Sequence, residues 1–272
     1  MEARDREDSL ASRFRRCTCF VKRSCPDKRP PQHGARARPR PGAPTLQKMD
    51  ALAALARLGR RFRRRRMRLL AELFGIRPEW LVLDVGGTPA IWEHCPVRPR
   101  LVLLNTPRAR EPVPPGILYV DGDGTALPFA DQSFDLVFSN SVIEHLGSRE
   151  AMERFASEVR RTGRRYFVQT PDARFPVEPH LYTPFLHWLP RGWRRALAPR
   201  ISLWALAARV TPDEREFFLR HCAEEVELLD AARMQELFPD ARILRERFLG
   251  LPKSLIAVRG AGEAGGTGQR AR

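Results

Sequence analysis

Residues 81–92, LVLDVGGTPAIW, constrain this chain more than any other stretch. A short apolar run holding one aspartate ends in two glycines and a threonine. Such a run describes a strand buried on both faces, as parallel sheets require, and the glycines turn it sharply into a helix. In doubly wound sheets a nucleotide-type ligand sits at this turn, because glycine lets the backbone approach it closely. As a dinucleotide fingerprint the turn is incomplete: Thr88 and Ala90 stand where the later glycines belong. Its meaning depends on which residues stand at fixed distances downstream.

Downstream of the turn the pattern is regular. Apolar strand candidates recur at 81–85, 101–105, 117–121, 134–139 and 165–170, separated by polar, Gly/Pro or helical sequence. Strands alternating with such connections indicate βαβ units and a parallel sheet. The clearest helix is 148–162, capped by Ser148, with Met152, Phe155, Ala156 and Val159 on one face. After Pro171 the rhythm breaks, and 172–229 is rich in Pro, Trp, Phe and His before turning acidic. It resumes with a helix at 230–238 and strands at 242–248 and 254–259, joined by GLPKS. A turn that short requires an antiparallel pair. An insertion as long as 172–229 is expected to contain helices and to cover the crevice at the carboxyl ends of the strands, as a lid.

The net charge of +16 resembles a nucleic-acid signature until it is located. Residues 1–68 hold 21 Lys/Arg against 6 Asp/Glu, whereas 69–272 hold the other 27 against 26. The excess therefore belongs to the leader and says little about the site. Residues 1–48, rich in Arg and Pro, lack the apolar content to offset ordering entropy and are expected to be disordered. Translation from Met49 or Met67 is the alternative reading of that segment. Cys17, Cys19, Cys25 and His33 lie there without a knuckle to hold a metal, so no metal site is expected. Cys95 and Cys222 are isolated, no apolar run reaches 18 residues, and a cytoplasmic protein is expected. Residues 49–75 form a basic amphipathic helix, either packed on the domain or touching an anionic membrane, which would place the protein at the membrane's inner face. Residues 261–272 read as a flexible tail.

The Gly-rich turn, the GDGTALPFADQSFDLVFSNSVIEHL stretch at 122–146 and the terminal hairpin resemble a class I S-adenosylmethionine-dependent methyltransferase, closest to the ubiquinone/menaquinone-biosynthesis type. The resemblance spans roughly 75–260 and implies a Rossmann-like, doubly wound α/β fold: a mainly parallel seven-stranded sheet, a C-terminal antiparallel hairpin and a helical lid insertion. The methyltransferase domain would occupy 76–260, with the acceptor insertion at 172–229.

The resemblance also implies a cofactor site for S-adenosylmethionine. Asp84, Gly86, Gly87 and Thr88 would hold its methionine end, with a helix N-terminus toward the carboxylate. Asn105, 21 residues after Asp84, stands where most of the family has an acid for the ribose diol. Asp123 would accept from the adenine amino group and the Gly124 N–H would meet a ring nitrogen, with Asp121 a competitor two residues away. Leu127 and Phe129 either wall the adenine or belong to the core. Ser139 closes the fourth strand at the crevice, with Glu144 and His145 beyond it. His145 and His180 are the candidate catalytic groups, with His187 a further base; Glu178, His180, Tyr182 and His187 suit an acceptor pocket or an ordinary lid.

The function this implies is methyl transfer to a small or lipid-linked acceptor. Thr88 and Asn105 support an alternative, a scaffolding protein with a degenerate methyltransferase fold. A nucleic-acid methyltransferase ranks lower, because 139–142 reads Ser-Asn-Ser-Val rather than the motif that grips a flipped base.

Overall fold

The computed structural model describes residues 46–107, 113–207 and 212–261. The readings of the Arg/Pro leader, including Cys17, Cys19, Cys25 and His33, and of the glycine-rich tail lie outside the described residues. One sheet is built from seven strands: β1 (Leu81–Val85), β2 (Arg100–Asn105), β3 (Leu118–Asp121), β4 (Leu136–Asn140), β5 (Tyr166–Pro171), β8 (Arg242–Phe248) and β9 (Leu251–Arg259). Their order across it is β3-β2-β1-β4-β5-β9-β8. The first five run parallel, and β9 pairs antiparallel with both β5 and β8. The order reverses between β1 and β4, so their carboxyl ends frame the crevice where such sheets bind ligands.

Each sheet face is covered by helices. Leu83, Val85, Val137, Tyr166 and Val168 meet α3 (Arg149–Thr162) and α7 (Ala231–Leu237). Ser148 caps α3 by accepting from the Ala151 N–H at 3.2 Å, and Asp230 caps α7 by accepting from Arg233 at 2.8 Å. Met152, Phe155 and Val159 are buried, each worth roughly 1.5–3 kcal/mol. On the other face, Val82, Leu103, Leu136, Phe138 and Phe167 pack against α1 (Leu46–Phe74) and α2 (Pro89–Trp92). Met67, Leu70, Leu73 and Phe74 of α1 enter this core. No helix among the described residues is long and apolar enough to cross a membrane.

The hairpin differs from its expected form. β9 begins at Leu251 rather than at 254, and the turn is only Leu249–Gly250, with φ of 48° and 80°. Two successive left-handed residues match the twist of adjoining strands. Pro252 is tolerated because β9 pairs with β5 only from Ser254 onward, so its missing N–H leaves no gap in that ladder.

Between β5 and α7 the chain forms a two-strand ribbon, β6 (Val177–Glu178) with β7 (Thr183–Pro184), then α4 (Arg191–Ile201), α5 (Leu203–Ala207), α6 (Pro212–Arg220) and a π turn (His221–Glu225). Leu181, Leu186, Ala198, Ala205, Leu219 and Cys222 give this insertion a core of its own. Its helical content agrees with expectation.

Candidate active site

Asp84 is fully buried at the end of β1, where one carboxylate oxygen accepts from the Trp92 indole N–H at 2.8 Å. Oδ1 has no partner among the described residues. Burial pushes this carboxyl up to about 7, against the opposing pull of the Trp92 hydrogen bond. Gly86 adopts φ 76°, and a Cβ there would lie 2.5 Å from Val142 Cγ2; a Cβ on Gly87 would overlap the Asp84 carboxylate. Both glycines are therefore required by packing, whatever else they do.

Around the turn the other expected residues take mixed positions. Thr88 is exposed and makes no side-chain cap bond, and α2 behind it has only 4 residues. A helix of one turn offers little dipole to a carboxylate. The Asn105 amide donates to the Gly87 carbonyl at 2.7 Å, bracing the turn. Ser139 is buried and donates to the Val85 carbonyl at 2.9 Å, which ties the ends of β4 and β1 together. Asp123 is exposed and accepts from both the N–H and the hydroxyl of Thr125, at 2.8 and 2.9 Å. Gly124 passes so close to Val85 and Phe155 that a Cβ would sit 3.0 Å from each. Leu127 and Phe129 join the core.

Beyond β4 a 3-10 turn (Ile143–His145) meets the insertion. His145 Nδ1 lies 3.0 Å from His221 Nε2, and its ring is edge-on to His180 with centroids 4.8 Å apart. Burial, then the charges of His180 and His221, push His145 down to about 3. Burial opposes charge on His180 as well, yet the 2.7 Å bond to Glu178 and the charges of Glu178 and Glu144 outweigh it and raise its pKa. Glu144 is fully buried, accepts from Thr170 Oγ1 at 3.0 Å, and is pushed up by desolvation. His187 is engaged elsewhere, 3.0 Å from the Ala173 carbonyl.

His145, His180 and Tyr182 line one cavity of about 400 Å³ at the carboxyl ends of β4 and β5. Its remaining wall was not visible in the sequence. α1 supplies Leu58, Phe62, Arg63 and Arg66, and the hairpin supplies Phe248 and Lys253. Arg66 is buried and donates to Glu246 at 2.6 Å, to Gln169 at 2.8 Å and to Asn140. Lys253 sits 4.4 Å over the Phe62 ring and is pushed down to about 8, by burial and then by the charge of Arg66. A signal for Arg66 did exist: it falls four residues from both Phe62 and Leu70, on the apolar stripe.

A family model described as "Methyltransferase domain" matches residues 99–165, which carry Asn105, Asp123, Ser139 and His145. Over residues 99–165 the chain is similar to a methyltransferase domain. That match supports S-adenosylmethionine as the cofactor. A search of the curated proteins found no match. Among solved structures, an Anabaena variabilis protein described as a methyltransferase from an antibiotic biosynthesis pathway is 17% identical, with a TM-score of 0.39; the match covers 68% of this chain and 64% of that one. A Pyrococcus horikoshii protein is 17% identical over 71% of this chain and 86% of its own, with a TM-score of 0.41. A SAM-dependent methyltransferase from Methanosarcina mazei is 11% identical over 67% and 92%, with a TM-score of 0.39. Likeness at this level bears on neither substrate nor activity.

Against the needs of that cofactor the donor set fits. Gly86 is left-handed, Thr88 and Asp123 are exposed, and the Asn105 carbonyl oxygen is not used in its bond to Gly87. The Val142 side chain fills the space beside Gly86 that a Cβ would need.

Proposed function

We propose that this chain is an S-adenosylmethionine-dependent methyltransferase whose acceptor is a small or lipid-linked molecule with an anionic group. The observation that carries the reading is the Ser139–Val85 hydrogen bond. It joins the Gly-rich turn to the strand whose end opens into the cavity, which would set a cofactor held at the turn beside an acceptor in the cavity. Gly86, Gly87, Thr88, Asn105, Asp123 and Gly124 would hold the cofactor, with Asp84 beneath the turn. When bound, it supplies a methyl group on a sulfonium centre, and the chain's own work is to align the acceptor and exclude water.

In the cavity, Arg63 and Lys253 favour an acceptor with negative charge, while Phe62, Phe175 and Phe248 favour an apolar body. The resemblance to ubiquinone/menaquinone-type enzymes agrees with such an acceptor. A hydroxyl or ammonium acceptor must lose a proton, and an efficient base titrates near the working pH. Burial makes His145 a poor proton acceptor, whereas Glu178 and Glu144 raise the proton affinity of His180, which makes His180 the better candidate base. Arg61, Arg64, Arg65, Arg68 and Arg247 rim a second groove beside exposed Leu249. This supports peripheral contact with an anionic membrane from which a lipid-linked acceptor would be reached.

The Val142 contact with Gly86 and the four-residue α2 favour a second reading, a scaffold with a degenerate site. Calorimetric titration of the full chain with S-adenosylhomocysteine separates the two. One binding site is expected, weakened about 10-fold or more by Asp123→Ala through the loss of one charged hydrogen bond. Absence of binding at millimolar ligand would leave the scaffold.

A further inference from the structure

The insertion brings Glu144, His145 and His180 together so that one ligand atom from each lies within 4.8 Å of the others. Their hydrogen bonds assign which atom each has left to give. Thr170 holds Glu144 Oε2, while Glu144 Oε1, on a residue with no exposed surface, has no partner among the described residues. Glu178 takes the proton on His180 Nδ1, so the neutral His180 ring has its lone pair on Nε2. Glu225 takes the proton on His221 Nδ1, which makes His221 Nε2 the acceptor for a proton on His145 Nδ1; His145 Nε2 then carries a lone pair too. Glu144 Oε1, His180 Nε2 and His145 Nε2 are thus the acceptor atoms that three converging side chains have left to offer. A buried carboxylate oxygen and two imidazole nitrogens in that state require a proton or a cation.

We propose that Glu144, His145 and His180 form a site for a first-row divalent cation, zinc in the first instance, with its open position toward the cavity. Two imidazoles and one carboxylate are a donor set that suits zinc and leaves a fourth position for an outside ligand. Glu178 and the His221–Glu225 pair supply the outer contacts that orient such histidines. His145 and His180 line the cavity, whereas Glu144 is closed to solvent, so the fourth position belongs to whatever enters it. The role of the cation, though not its binding, rests on the methyltransferase reading. Coordinating the acceptor's oxygen or nitrogen would lower its proton affinity and relieve His180 of acting as a base.

Zinc binding is measured on the full chain by competition with a chromophoric chelator, alongside S-adenosylhomocysteine titration in the presence and absence of zinc. One equivalent of zinc is expected, weakened at least about 100-fold by Glu144→Gln, which keeps the shape and the Thr170 contact, and by His180→Ala. Glu178→Gln, a positioning change, is expected to cost roughly 10–100-fold. The cobalt(II) form should show visible bands from nitrogen and oxygen ligands without sulfur charge transfer, which separates this site from the thiols at Cys17, Cys19 and Cys25. Failure to bind zinc, or equal binding by wild type, Glu144→Gln and His180→Ala, would overturn the site. Cofactor binding that persists without zinc would leave the methyltransferase reading intact in that event.

Discussion

Asp84 is an ionisable group placed where water does not reach, with a single hydrogen bond from Trp92 to hold it. Its carboxyl is raised from 3.8 to about 7, so the folded state binds the proton more tightly than the unfolded chain does. That contribution is fully present below about pH 4 and is lost as pH rises through 7. Asp84→Asn keeps an oxygen for the Trp92 N–H and cannot ionise. Urea unfolding between pH 4 and 8 should therefore show wild-type stability falling relative to the variant, on the order of a few kcal/mol in all. Parallel curves for the two proteins would refute the raised pKa. Ser139 poses a smaller test. Ser139→Ala leaves the Val85 carbonyl without its 2.9 Å partner and should cost about 1 kcal/mol in unfolding free energy.

Helix α1 shows how an element acquires a second role from its neighbours. Its apolar residues pack on the sheet as the amphipathic pattern implies, but Arg66 on the same stripe reaches Glu246, Gln169 and Asn140 from three different strands. A buried cation is tolerated only with such partners. Arg66→Ala should destabilise the protein by about 3 kcal/mol, because the enclosed Glu246 loses its 2.6 Å partner and keeps only the Lys253 ammonium at 3.8 Å. The pair Arg66→Met with Glu246→Gln should recover much of that loss. Equal urea midpoints for Arg66→Ala and wild type would show that the ion pair holds nothing.

Taken across the molecule, the sheet, the basic helix and the insertion each supply one wall of the cavity. Removing the first 66 residues would take away cavity residues such as Phe62 and Arg66 along with the surface charge, so charge reversal is the cleaner probe of membrane contact. Arg61→Glu, Arg64→Glu and Arg65→Glu together should weaken binding to anionic vesicles by about 100-fold, at roughly 1 kcal/mol per basic side chain, and leave zwitterionic vesicles unaffected. Unchanged sedimentation with anionic vesicles would remove this face of α1 from the argument.

Much of this architecture was legible in local sequence. Five short apolar runs, the caps at Ser148 and Asp230, and a turn too short for a crossover specify a mainly parallel sheet ending in a hairpin, because side-chain period and chain reach act over a few residues. The Gly-rich turn was legible for the same reason. The lining of the cavity and the groups packed behind it were not. Arg66, Glu144, Lys253 and His221 are far apart in the chain, and a charged residue with unknown neighbours is read as solvated. Only the packed structure reveals which charges are enclosed and which partners face them. The turn at residues 84–88 marks that boundary: its glycines were expected to approach a ligand, and folding showed them already pressed against Asp84 and Val142.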